Sequence, residues 1–324
     1  MPRTIARWGR PAAVVLILGV LGWRLGAGPF LTGLASLTAG AVLAAALLTA
    51  LATAAAAWRW SAIARAFGAP IPFRSAVPAY YRSQFLNSVL VGGVAGDVDR
   101  GFANDPRAGG ARLGLRIVAW DRGSGQAVQL ALLIVALLAV DTPLGVATVG
   151  AAGVAVAAAG LLRLALLARA RGRDSAPSPF FAAVLGDLRI RLLPRQVLVP
   201  ILAGSTLVTL AHSCVFLLAA SITGTLHAAG TLLPIALTVQ VAMALPLSLG
   251  GWGPREGVAA AAFAAAGLGA GHGLAASTAY GALALIAVLP GAVVLALGRG
   301  NHGQNRIARS AIAARPLTPR KAAP

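Results

Sequence analysis

The sequence predicts an all-α integral membrane protein with about eight transmembrane helices, a short re-entrant segment near residues 84–96, and a possible inverted repeat. Three observations carry that expectation. Apolar residues make up 58% of the 324-residue chain, charged residues 11%, and mean hydropathy is +0.81; soluble domains hold roughly 45–50% and about 25%. Several runs reach the about 20 apolar residues that a helix needs to cross a bilayer. The basic residues gather in clusters between those runs, which is how cytoplasmic loops are marked.

The net charge of +19 and the pI near 12.0 also describe nucleic-acid binders. Here there is no basic amphipathic helix and no aromatic-interleaved RNA motif, so nucleic acid is not an expected partner. Of the 27 basic residues only Lys321 is a lysine. The single cysteine, Cys214, excludes an intramolecular disulfide or a paired-cysteine metal site. Its apolar context reads as that of a small packing residue.

The elements follow in order. Residues 1–10 are basic and read as a cytoplasmic N-terminus. The run 11–28 reads as an uncleaved signal anchor, with Arg24 snorkelling at its outer end. The run 32–57 ends in Trp58-Arg59-Trp60, where the tryptophans would anchor the interface. Arg59, Arg65, Arg74 and Arg82 then mark a cytoplasmic stretch. Next comes FLNSVLVGGVAG, residues 85–96. As a helix it would cover about 18 Å of a ~30 Å hydrocarbon core. Basic sequence resumes at Arg100, Arg107, Arg112, Arg116 and Arg122, so this piece should enter and leave by one face.

Further spans are expected at 125–140, 143–162, 197–221, 231–249, 258–270 and 275–297, with a basic cytoplasmic loop at 163–196. The connections near 141–143, 223–230 and 271–273 carry no Lys or Arg. Placing the basic loops inside closes the parity: eight spans within a transmembrane domain at 11–298, and both termini cytoplasmic. The basic tail, 299–324, is expected to be disordered on an anionic leaflet. No feature specifies an oligomeric state.

Eight acidic residues exist: Asp97, Asp99, Asp105, Asp121, Asp141, Asp174, Asp187 and Glu256. Asp105, Asp141, Asp174 and Asp187 read as solvated helix-end charges. The others stand beside arginines next to apolar sequence, in GGVAGDVDR (92–100), WDRGSG (120–125) and GGWGPRE (250–256). Charges at membrane depth face a cavity or each other. The Gly-rich breaks 91–96 and 249–254 occupy comparable places in the two halves. Paired interruptions of this kind point to a transporter's binding site, because they free backbone groups that only a protein-lined or wet cavity satisfies.

These three stretches resemble the signatures of the lysylphosphatidylglycerol synthase transmembrane region, also called the flippase-like domain family. Onto that pattern fall Asn87, Gly96, Asp97 and Arg100; Asp121, Arg122 and Gly125; and Pro246, Ser248, Gly250, Gly251, Gly253, Arg255 and Glu256. The first motif departs from the family in lacking its proline and in loosening Gly-Gly-Asp. The resemblance spans about residues 10–298 and implies the membrane part alone, without the C-terminal aminoacyl transferase of larger relatives.

The implied activity is movement of a headgroup-bearing lipid between leaflets, the lipid being phospho- or polyprenyl-phosphate-linked. Arginine forks suit phosphate oxygens, which makes Arg100, Arg122 and Arg255 candidate ligands. Asp97, Asp121 and Glu256 would orient those arginines or meet a cationic headgroup. Asn87, Ser248, Gly250, Gly251 and Gly253 complete the candidate substrate site. The alternative for Arg255 and Glu256 is an internal latch that touches no lipid.

A membrane-embedded transferase, or an accessory subunit of lipid or glycolipid synthesis, is the second reading. A structural scaffold is the third, and it leaves the charged breaks unexplained. No HExxH, GxSxG or P-loop motif is present, His212, His227, His272 and His302 are scattered, and no catalytic residue, metal or cofactor is expected.

Overall fold

In a computed structural model of the chain, the described residues are Gly19, 23–90, 93–102, 110–139, 145–155, 184–225, 229–243 and 252–297. Most of the first expected span, most of the basic loop 163–196 and the tail fall outside them. So do Pro246, Ser248, Gly250, Gly251, Asp105, Asp141 and Asp174.

The described residues are helical throughout, as an all-α membrane protein requires. In chain order the helices are α1 (Gly28–Ala35), α2 (Ala39–Ala66), α3 (Phe73–Val89), α4 (Ala95–Phe102) and α5 (Gly110–Ala139). Then follow α6 (Gly145–Ala155), α7 (Arg195–Ile222), α8 (Ala229–Met243), α9 (Pro254–Ala265) and α10 (Ala270–Ala287). A π-helical turn, Asp187–Leu192, precedes α7.

Among the described residues four helices are long and apolar enough to cross a membrane: Ala39–Ala66, Ala111–Ala139, Arg195–Ile222 and Ala270–Leu297, the last including a short break after α10. Gly145–Ala155 and Gly230–Met243 are apolar but shorter. Among the described residues, then, complete spans fall short of the expected eight.

Two boundaries differ from expectation, for one reason. The run expected at 32–57 is broken after Ala35, and α2 starts where Thr38 Oγ1 accepts the Ala41 N–H at 3.2 Å. At its other end the helix continues through Trp58-Arg59-Trp60 to Ala66 and stops only at Gly68, whose φ is +76°. Trp60 is therefore buried instead of anchoring an interface, and Arg59 is a core residue. Likewise α5 begins about fifteen residues before the expected 125, carrying Arg112, Arg116 and Arg122 within it. Apolar averages end where charge begins; a helix ends where its hydrogen bonds are interrupted.

Helix α2 is sorted by size, with small residues inward and large apolar ones outward along much of its length. On α2 the inner face carries Ala41, Ala45, Thr49, Ala52 and Ala56, while Leu43, Leu47 and Leu51 form an exposed stripe at four-residue spacing. This distribution suits lipid, in which small side chains let backbones approach. Against α7, the partner on which α2 packs most extensively, a Cβ on Gly204 would lie 3.0 Å from the Ala55 carbonyl oxygen. Cys214 is exposed on α7, not packed. The main core joins α2, α7, α8, α9 and α10 around Phe216, Phe263 and Tyr280.

The apolar piece 84–96 is not one short helix. It is the apex of a hairpin: α3 ends at Val89, the chain turns through Gly93 at φ +61°, and α4 returns alongside α3. The return is antiparallel, since Arg82 pairs with Asp99, Ser83 with Asp97, and Asn87 with Gly96. A Cβ at Gly96 would lie 2.7 Å from the Ser83 Cα and collide with its carbonyl, so glycine is what lets α4 close on α3.

Candidate functional site

The residues of the first two motifs converge. Asp97, in the first turn of α4, accepts hydrogen bonds from Ser83 Oγ (3.1 Å) and Asn87 Nδ2 (2.9 Å), both on α3. The Asn87 Oδ1 in turn accepts the Gly96 N–H at 2.8 Å. Asn87 thus clamps the start of α4, where a helix favours an acid in its first turn. Arg122 of α5 reaches the same carboxylate at 2.5 Å and donates to the Gly93 carbonyl at 2.9 Å.

Arg100 Nη2 bridges Asp97 Oδ1 (3.1 Å) and Asp121 Oδ2 (2.9 Å). Its guanidinium sits in the corner formed by Trp60 and Tyr80, whose rings meet edge to face at 70°, with Cζ 4.5 and 4.0 Å from the two ring centroids. Arg59 completes the group. Its Nε donates to Asp121 Oδ1 (2.8 Å), Nη1 to Ser205 Oγ (2.8 Å) and Nη2 to the Tyr80 hydroxyl (3.2 Å), while that hydroxyl donates to Asp121 Oδ2 (2.8 Å). Gly125 is explained by the same residue: a Cβ there would lie 2.7 Å from Arg59 Nη1. Five segments, α2, α3, α4, α5 and α7, therefore meet at one ion cluster. Three arginines share two aspartates, which leaves an excess of one positive charge.

The third motif forms a separate cluster with the same parts. Gly253, at φ +100°, precedes α9, and the Glu256 carboxylate at the third helical position accepts its N–H at 2.6 Å, as in the acidic half of a capping box. Arg255 Nε donates to Glu256 Oε1 at 2.8 Å, and Ser277 of α10 lies beside both. The Arg255 Cζ lies 4.7 Å from the Trp252 ring centroid and 5.5 Å from that of Tyr280. Gly281 faces it so closely that a Cβ would lie 2.8 Å from Cζ. Each Gly-rich break thus leads into a helix whose third residue is the acid, with one buried arginine against two aromatic rings.

Between the clusters lies a cavity of about 320 Å³. Arg59, Arg122 and Asn87 line its charged end; Gln129, His212 and Gln240 line the rest, with Tyr280 reaching it from the second cluster. Its lining residues fall at the middle of each long span: 49 and 59 in Ala39–Ala66, 122–129 in Ala111–Ala139, 205–212 in Arg195–Ile222, and 280–288 in Ala270–Leu297. Helix register therefore puts this polar space at mid-depth of the bundle.

The family comparison adds its own finding. A family model described as lysylphosphatidylglycerol synthase TM region matches residues 9–291. The chain belongs to this family. No curated protein and no solved structure matches the chain. As a member of the lysylphosphatidylglycerol synthase TM family it is a multi-pass membrane protein of a lipid-related group, in keeping with its apolar helices.

The structure divides the family's motif residues into two kinds. Arg122, Asn87 and Gly125 line the cavity. Asp97, Arg100, Asp121, Arg255 and Glu256 are buried and engaged with one another or with their neighbours, outside the lining. Ser248, Gly250 and Gly251 lie beyond the described residues. Sequence reasoning missed Arg59, Tyr80 and Ser205, along with the row of glutamines on α3, α5 and α8. It also placed Asp187 in solvent. That residue is buried, taking Arg116 Nε at 2.7 Å, Trp120 Nε1 at 2.9 Å and Arg191 Nε at 3.3 Å. An aspartate sequestered from water keeps its charge only beside such partners.

Proposed function

We propose that the chain binds a phosphate-bearing membrane lipid by its headgroup in the mid-depth cavity and moves it between leaflets. The observation that supports this reading is the pairing of a net positive ion cluster with a polar cavity inside a bundle whose outer face is apolar. A single phosphodiester would neutralise the one excess charge. Arg59 and Arg122 carry the contact; the Arg122 side chain is 39% exposed, with Nε on Asp97 and Nη2 on the Gly93 carbonyl, so Nη1 is the donor it offers a ligand, and charge-assisted bonds to phosphate are short and strong.

Arg100, bound to two carboxylates, and Arg255, bound to one, each also against two aromatic rings, act as the pins that hold the helix starts. Asp97 and Asp121 set the orientation of Arg122 and Arg59. The cavity is small for a whole lipid, so the acyl chains stay among the lipids while the headgroup crosses through the protein.

Mass spectrometry of lipids co-purifying with the wild type and with Arg122→Gln tests the binding step. Vesicles carrying a fluorescent phosphatidylglycerol, quenched from outside, test the movement. An anionic lipid enriched on the wild type and lost from the variant, with lipid exchange between leaflets falling in parallel, is the expected result. Identical bulk phospholipids on both proteins, and equal exchange, would sink the reading.

A further inference from the structure

The cavity has a second, neutral end that phosphate alone does not explain. On α5, Arg122, Gln126 and Gln129 all line it. At about 1.5 Å rise per residue, Gln129 stands roughly 10 Å beyond Arg122 along the helix. Across the cavity, Ser205, Thr209 and His212 form the matching row on α7. Gln240 of α8 donates to Ser213 Oγ at 2.8 Å, which fixes its amide at the same end.

Two of these wall groups are buried and have no hydrogen-bond partner among the described residues: Gln129 Nε2 and Thr49 Oγ1, on residues 9% and 2% exposed. A buried polar atom without a partner is costly. Here both lie in the wall of one cavity, and amide and hydroxyl groups together offer donors and acceptors.

The acids are just as informative. The five acidic residues among the described ones are each committed to arginine: Asp97, Asp99, Asp121, Asp187 and Glu256. None of them lines the cavity. An ammonium group brought to the neutral end would be desolvated with no counter-charge, facing two guanidiniums at the other end.

Building on the anionic-lipid reading above, we infer that the headgroup beyond the phosphate is uncharged and rich in hydroxyls, a cyclic polyol or a hexose, and that a cationic aminoacyl headgroup is refused. Arg59 and Arg122 take the phosphate. Gln129 and Thr49, roughly 10 Å along α5 from Arg122 and roughly 15 Å along α2 from Arg59, read hydroxyls further in together with their neighbours. A site built to hydrogen-bond a hydroxyl discriminates strongly against a ligand that lacks it. The same chemistry is offered by an inositol phospholipid and by a polyprenyl-phosphate hexose.

The test uses the full chain in phosphatidylcholine nanodiscs, with native mass spectrometry measuring bound guest lipid. The guests are phosphatidylinositol, a short polyprenyl-phosphate hexose, phosphatidic acid and lysyl-phosphatidylglycerol. One of the first two should bind at least about tenfold more tightly than either of the last two, and the one that does names the source. Gln129→Leu and Thr49→Val, which remove unpartnered buried groups and so should fold, should each cut the preference over phosphatidic acid by about fivefold, the scale of one hydrogen bond. Arg122→Gln should weaken all phosphate lipids together. Lysyl-phosphatidylglycerol binding as tightly as the hydroxylated guests would overturn the inference while leaving anionic-lipid binding intact. An unchanged preference in both Gln129→Leu and Thr49→Val would do the same. Equal binding of every guest, unaffected by Arg122→Gln, would overturn both readings.

Discussion

Replacing Glu256 with glutamine separates a latch from a ligand site. Glutamine keeps an oxygen that can accept the Gly253 N–H, so the cap at the start of α9 survives. What it removes is the negative charge beside Arg255, in a pair whose side chains are 0% and 2% exposed. Breaking a buried pair by removing one partner costs about 3–5 kcal/mol, because the other charge is left uncompensated. At about 2.1 cal/mol/K per residue, a chain of 324 residues shifts about 1.5 °C per kcal/mol, so the unfolding midpoint should fall by roughly 4–7 °C.

Thermal unfolding in detergent, followed by tryptophan fluorescence, is a suitable assay because Trp252 stacks on the Arg255 guanidinium. The double variant Arg255→Met/Glu256→Gln should recover most of the loss, since removing both charges of a buried pair is often close to neutral. Its lipid content should match that of the wild type, because neither residue lines the cavity. Bound lipid lost from Glu256→Gln or from the double variant, with the midpoint unmoved, would refute the latch and put Arg255 in contact with the ligand.

Two other outcomes are expected. Gly125→Ala and Gly281→Ala each add a methyl group against a buried guanidinium, of Arg59 and Arg255 respectively; each should cost about 1–3 kcal/mol by overpacking, read as a lower midpoint, with Gly125→Ala also weakening lipid binding. Asp99→Asn and Asp121→Asn should differ sharply: the half-exposed Arg82–Asp99 pair contributes under about 1 kcal/mol, whereas the buried Asp121 holds two arginines and its loss should cost at least about 3 kcal/mol, measured by the same unfolding curves.

The fold class was legible because lipid imposes it through composition, and Asp97, Arg100, Asp121 and Arg122 were legible because charge beside glycine in so apolar a chain has few uses. Arg59 was not. It stands between two tryptophans at the end of an apolar run, where an interfacial role fits equally well, and its counter-charge lies 62 residues away. One local signal was available: nothing between Ala57 and Gly68 stops a helix, so Arg59 had to remain inside α2. The sequence leaves the division between Arg122 and Arg255 open, with a latch as the alternative for Arg255 and Glu256. Both follow a Gly-rich or acidic motif, and only the approach of Tyr280 and Gly281 from α10 shows that Arg255 is enclosed. Asp187 was misjudged because its partner Arg116 is 71 residues distant.

The ion cluster also has a consequence for biogenesis. Its charges reach the membrane one at a time. When α2 leaves the ribosome, Arg59 enters the bilayer's vicinity without Asp121, which follows 62 residues behind, and Ser205 trails by 146. At about 5–20 residues per second, those delays are roughly 3–12 s and 7–29 s. During that interval a bare guanidinium raises the cost of α2 lying within hydrocarbon. A chain truncated between residues 66 and 121 would present the quality-control proteases with an arginine that no later segment can neutralise.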